Sequence, residues 1–180
     1  GDSKYEYRVF WWNSDWLRSF KMYDISPTFT ETNELVINEV LSVGTFDGSI
    51  ESYVNELHLH IDGFISEPAI GSRTSPEYML QLSGAPISAL ISWHEEITPP
   101  YSAVEVYTNL FNGVEWLGWK QCTNGGPIPD CDLDSIDWPN ARLQTRQILT
   151  VSDDNILSTV SISNLSLVFN TEKPNRVNQF

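Results

Sequence analysis

Three tryptophans lie beside residues that bond well to hydroxyls. Trp116 and Trp119 occur in NGVEWLGWK (112–120), Trp138 in the acidic run CDLDSIDWPN (131–140), and Arg142 and Arg146 follow in ARLQTRQIL (141–149). An aromatic face stacks on the apolar face of a sugar ring, while nearby Asn, Asp and Arg side chains bond its hydroxyls. Trp116, Trp119, Trp138 and Arg142 are therefore the carbohydrate-binding candidates, with Arg146 a further donor on the same strand face. Arginines on so acidic a chain have another use, pairing with carboxylates. The tryptophans also have another use, because large aromatics near loops more often fill a core or its ends. Trp93 sits on an apolar strand face and reads as core. Trp11, Trp12 and Trp16 read as a packing seam to a neighbouring domain or subunit.

Other chemistries find less support. Asp130, Asp132 and Asp134 alternate in the loop before Trp138 and offer hard oxygen ligands for calcium. An EF-hand would need Gly at Ser135 and Glu at Ala141, so only a different calcium site, or a solvated acidic loop, remains. No cofactor is otherwise implied. His58 and His60 share a strand face, but the second-motif residues of a cupin metal site are missing. The sequence holds no nucleophile elbow, phosphate-binding Gly-rich loop or HExxH. Glu95 and Glu96 are adjacent on a strand, so they face opposite ways and cannot flank a scissile bond. The reading is therefore not an enzyme.

Cys122 and Cys131 bracket TNGGPIPD. A bridge between them would stabilise the fold by roughly 2.7 kcal/mol in the chain-entropy model. It would suit an extracellular or virion protein, whereas two separate thiols would suit a reducing compartment. Ten basic residues against 24 acidic ones give a formal charge of −14. That charge disfavours nucleic acid and anionic membrane surfaces and leaves cations and neutral sugars compatible. No apolar run is long enough to insert in a membrane. The N-terminus is no signal peptide and lacks an initiator Met, so the chain is expected to be part of a larger multidomain protein.

The elements that must position these residues are strands. Residues 5–12 alternate with aromatics on both faces, 13–20 read as a short helical turn, and 35–41 as a strand. In 53–62, Leu57, Leu59 and Ile61 oppose Glu56, His58, His60 and Asp62. Ile87, Ala89, Ile91 and Trp93 share a face, and Val104 and Val106 oppose Glu105 and Tyr107. Leu143, Leu149 and Val151 oppose Arg142, Gln144 and Arg146. In the last strand the apolar phase shifts from Val160 and Ile162 to Leu165, Leu167 and Phe169, which predicts a β-bulge near Ser163–Asn164. Pro99-Pro100, Asn112-Gly113 and Gly125-Gly126 punctuate the strands. The fold expected is all-β, an antiparallel β-sandwich. It covers 43–170, with 1–42 as an N-terminal connector and 171–180 as a C-terminal linker.

GSRTSPEYMLQLSG, ISALISW, PYSAVEVYT, the NGVEW turn, NGGPIP and ARLQTRQIL, taken together, resemble the galactose-binding-like jelly-roll modules of bacteriophage tail and tail-fibre proteins and of secreted bacterial proteins. The resemblance spans roughly 45–170. It implies a jelly roll that is usually non-catalytic and either grips glycans or builds tail and baseplate assemblies. The cysteine pair typical of the discoidin branch is absent from the termini of the domain. The function expected is an adhesion module of a virion or bacterial surface protein. Its partners would be a glycan or neighbouring virion or surface-protein subunits. A purely structural assembly domain is the alternative, and a carbohydrate-active enzyme a third reading. The location expected is the virion or the cell exterior.

Overall fold

The computed structural model describes residues 28–29, 32–59, 69–152, 160–172 and 176–177. They divide between a unit spanning Thr32–Glu172 and a second made of Gly1–Glu31 and Lys173–Phe180. In the second unit, β1 (Thr28–Phe29) pairs antiparallel with β13 (Arg176–Val177), so part of the tail expected as a linker is a strand. The strand expected at 5–12, the helical turn at 13–20 and Trp11, Trp12 and Trp16 lie outside the described residues.

The first unit is an antiparallel β-sandwich, as the strand pattern predicts. Its front sheet runs β10 (Trp116–Gln121), β9 (Ser102–Phe111), β11 (Arg142–Val151), β6 (Ala69–Thr74) and β3 (Thr45–Gly48), with β7 (Tyr78–Met79) beside the start of β11. The back sheet is built on β12 (Val160–Glu172). One side of β12 pairs with β8 (Ser88–Ile97), and the other with β2 (Thr32–Asn38) and β5 (Glu56–Leu59), which carries β4 (Ile50–Tyr53). Because β2 is a full strand of this sheet, the sandwich begins before the boundary expected at residue 43. Within the region expected as one strand over 53–62, β4 ends and β5 begins, joined in a hairpin by a turn at Val54–Asn55, and residues 60–62 lie outside the described ones.

Sequence alternation determines which side chains meet. Along β11 every second residue is buried: Leu143, Thr145, Gln147, Leu149 and Val151. Arg142, Gln144, Arg146, Ile148 and Thr150 face outward, as period-two pleating requires. The bulge expected in the last strand is present. The β12–β8 register shifts between Ser163 and Ser166, with Asn164 at φ 53. Asn enters that left-handed region more readily than other side chains. The inserted residue moves the buried set from Val160 and Ile162 to Leu165, Leu167 and Phe169.

One polar network is sealed between the sheets. Arg73, on β6, is fully buried against the fully buried side chain of Glu39. Its Nη1 donates to Glu39 Oε1 at 2.9 Å and to Gln147 Oε1 at 2.8 Å. Its Nε and Nη2 donate to the Val43 and Val40 carbonyls. Glu39 also accepts from the Tyr78 hydroxyl at 2.8 Å and from Thr145 Oγ1 at 2.7 Å. Burying this pair is tolerable because both charges are paired with each other and further hydrogen-bonded.

Glu39→Gln leaves the Arg73 charge without its counter-ion, so denaturant unfolding should show a loss of about 3–5 kcal/mol. Burial, and then the Glu39 carboxylate, push the Tyr78 hydroxyl from 10.0 up to about 12. The native state therefore holds a proton that the unfolded chain releases near its ordinary value. Stability should be intact below pH 10 and fall between pH 10 and about 12. Tyr78→Phe should flatten that part of a stability-against-pH curve.

Candidate functional site

In a regular strand, residues three apart face opposite ways. Trp116 and Trp119 do not. Trp116 pairs with Phe111 and Trp119 with Asn109, so three steps on β10 span two on β9. Gly118, at φ 104, is the extra residue, and its N–H donates to Asn109 Oδ1 at 2.9 Å. Glycine is suited to this position because it adopts positive φ without a steric penalty. The bulge sets both indoles on the outer face of the front sheet, while Leu117 packs against the core.

The same face collects outward residues of the neighbouring strands. Cross-strand pairs are Arg142 with Phe111, Gln144 with Asn109, and Arg146 with Tyr107. The Phe111 and Trp116 rings are tilted, with centroids 5.3 Å apart. The Arg142 guanidinium lies 4.7 Å from the centre of Phe111, and that of Arg146 4.1 Å from the centre of Trp119. Arg142 Nη1 reaches Glu77 Oε1 at 3.0 Å. Arg146 Nε donates to Thr74 Oγ1 at 3.0 Å. Tyr107 donates its hydroxyl to Glu105 Oε1 at 2.8 Å, and Gln144 Nε2 donates to the Ser75 carbonyl at 3.1 Å. The result is a band of half-buried aromatic rings, guanidinium groups and amides across β10, β9 and β11.

Of the candidates, the structure brings together Trp116, Trp119 and Arg142. The two tryptophans stand on a strand of the sheet face and not around a loop, and Arg142 stands on the strand face expected for it. Trp138 is elsewhere. It begins a single 3₁₀ turn (Trp138–Asn140) and is only 4% exposed, packed with Ile136, Ala141 and the rest of the core. Phe111, Tyr107, Gln144 and Asn109 complete the band. Strand alternation marks their faces, but only the β9 register shows that they adjoin the tryptophans.

The acidic loop does not assemble a calcium site. Asp130 is held by Lys120 Nζ at 2.6 Å, and Asp132 and Asp134 are exposed. Among the described residues no three acidic, His or Cys side chains converge as metal ligands. Asp132, Asp134 and Asp137 instead border an open groove of about 480 Å³ beside Pro86 and Trp138. His58 lies 3.2 Å from Glu56, and His60 falls outside the described residues.

Of the two arrangements open for Cys122 and Cys131, the structure has two free thiols. Cys122 is buried in the core with its Sγ 3.6 Å from Thr108 Oγ1. Burial pushes both thiols up. Cys131 reaches about 12, with Asp130, Asp132 and Cys122 adding to the effect, so neither thiol is disposed to act as a thiolate nucleophile. No helix among the described residues is long and apolar enough to cross a membrane.

No family model matches the chain, and no curated protein matches its sequence. Two solved structures are similar in outline. One comes from work on the promiscuous specificity of carbohydrate-binding modules of the β-sandwich superfamily. It has 10% identity and a TM-score of 0.33, with 84% of this chain covering 58% of that one. The other is TmCBM61 in complex with β-1,4-galactotriose, at 10% identity and a TM-score of 0.34, with 79% of this chain covering 88% of that one. At such scores the fold assignment stands on the strand register.

A Cβ at Gly118 would meet no atom within 4 Å, so Gly118→Ala should cost only the strain of positive φ. That cost is about 1–3 kcal/mol. Chemical denaturation should report the loss, while the near-ultraviolet circular dichroism of the indoles should stay as in the parent because the bulge, and the face Trp116 and Trp119 share, is kept.

Proposed function

We propose that the sandwich is a non-catalytic carbohydrate-binding module that holds its glycan across β10, β9 and β11 on the front sheet. The observation that carries this reading is the Gly118 bulge, which sets Trp116 and Trp119 on one face beside Arg142, Gln144 and Arg146. Indole faces supply stacking surface, and the guanidinium and amide groups match ring hydroxyls. Binding, not turnover, is supported by how the local carboxylates are used. Glu77 pairs with Arg142, and Glu105 accepts the Tyr107 hydroxyl. The sequence resemblance supports a setting in a phage tail, a baseplate or a bacterial surface protein, where the module would serve adhesion outside the cell.

A glycan array of bacterial, plant and animal oligosaccharides, followed by calorimetry on the hits, tests this. Trp119→Ala and Trp116→Ala should each weaken binding at least about tenfold, as loss of a central aromatic anchor does. Val114→Ser, at an 84% exposed turn position, should leave it unchanged. An array without hits, or tryptophan variants that bind as the parent does, would reject the proposal in favour of a purely structural domain.

A further inference from the structure

Resting on that reading, we infer that the glycan is acidic, a carboxylated sugar of the uronic-acid class, and that Arg146 selects it. The chain has only ten basic residues against 24 acidic ones, yet one strand places two arginines on the binding face. Arg142 and Arg146 are four residues apart on β11, so their Cα atoms are about 13 Å apart along the sheet. Their surroundings differ. Arg142 already pairs with Glu77. Among the described residues Arg146 touches neutral groups only, the Thr74 hydroxyl and the Trp119 ring. Among the described residues no carboxylate lies within ion-pair distance of it. Glu105, two residues from its cross-strand neighbour Tyr107, accepts that tyrosine's hydroxyl.

The geometry also suits a carboxylate. Nε of Arg146 is used on Thr74 and the guanidinium plane is held against an indole, so the Nη1 and Nη2 donors are the part left to a ligand. A planar fork with fixed orientation matches the two oxygens of a carboxylate and loses little freedom on binding it. The overall charge of −14 opposes a polyanion at long range. At physiological ionic strength, however, charges are screened beyond about 8 Å, so the contacts on this face decide the outcome.

The test uses the full chain at physiological salt with oligomers of galacturonate, guluronate and a glucuronate-containing repeat. Each is compared with the same oligomer after its carboxylates are reduced to alcohols. The acid form of at least one should bind at least about tenfold more tightly than its reduced form, the scale of a charge-assisted hydrogen bond. Arg146→Gln should abolish that difference, weakening the acid form by more than the reduced form, and Arg146→Lys should restore the preference in part. Equal binding of acid and reduced forms would overturn the inference and leave the proposed function standing. So would binding confined to neutral or sulfated oligosaccharides, or an undiminished acid preference in Arg146→Gln. Failure of every glycan to bind would overturn both. If Arg146→Gln does not fold, the Lys variant decides, because the loss of the planar fork must still reduce the preference.

Discussion

A charge pair with no access to water holds the two halves of the sandwich in register. Glu39 follows a back-sheet strand, whereas Arg73, Tyr78, Thr145 and Gln147 belong to strands of the front sheet. The connecting stretch also contributes the Val40 and Val43 carbonyls to the same guanidinium. A network of this kind adds little stability over a well-packed apolar core, but it is intolerant of misplacement. Thr145 and Gln147 alternate with Gln144 and Arg146, so the buried bonds and the outer binding band are two faces of the same strand. A one-residue slip of β11 would put arginines inside and deprive Glu39 of Thr145 and Arg73 of Gln147. The interior chemistry thereby specifies which side chains the surface presents.

A sheet edge is a second hazard, and the loop after β10 deals with part of it. Residues 124–128 run along the free edge of β8. Gly125 N donates to Ile91 O, Ile91 N to Gly126 O and Ile128 N to Ala89 O, while the Asn124 side chain bonds both backbone groups of Trp93. The Gly- and Pro-rich stretch read as a clipped loop is in fact an edge cover, a role its two prolines at 127 and 129 suit by stopping further pairing. Its attachment to β8 comes from these hydrogen bonds, with the thiols at its ends free.

Much of this architecture was legible in residue patterning, because period-two alternation reports a one-sided strand directly. The buried sets of β11 and β12 follow from it, and so does the bulge at Asn164, since an apolar phase shift inside one strand has few other causes. What escaped depends on partners distant in sequence. Trp138 follows four acidic residues and precedes Pro139, so it reads as a loop tip, yet the turn it opens carries its ring into the core. The Gly118 bulge left no phase shift to read, because LGW is too short for alternation to show. Arg73 has the look of a surface residue in GSRTSP, and only Glu39, more than thirty residues away, explains its burial. Long-range pairing of polar groups has no periodic signature, so it is invisible in a single sequence.

The Gly118 bulge also means that local backbone register, as well as residue identity, governs what the front sheet displays. A chain of the same length that paired β10 without the bulge would keep both tryptophans and every arginine, yet regular pleating would turn one indole inward. Such a chain would differ from this one by no chemical group on β9 or β11 and would still lose half of its paired aromatic surface. In this sandwich, loss of one bulge in β10 is a route to altered recognition that a comparison of side chains alone would miss.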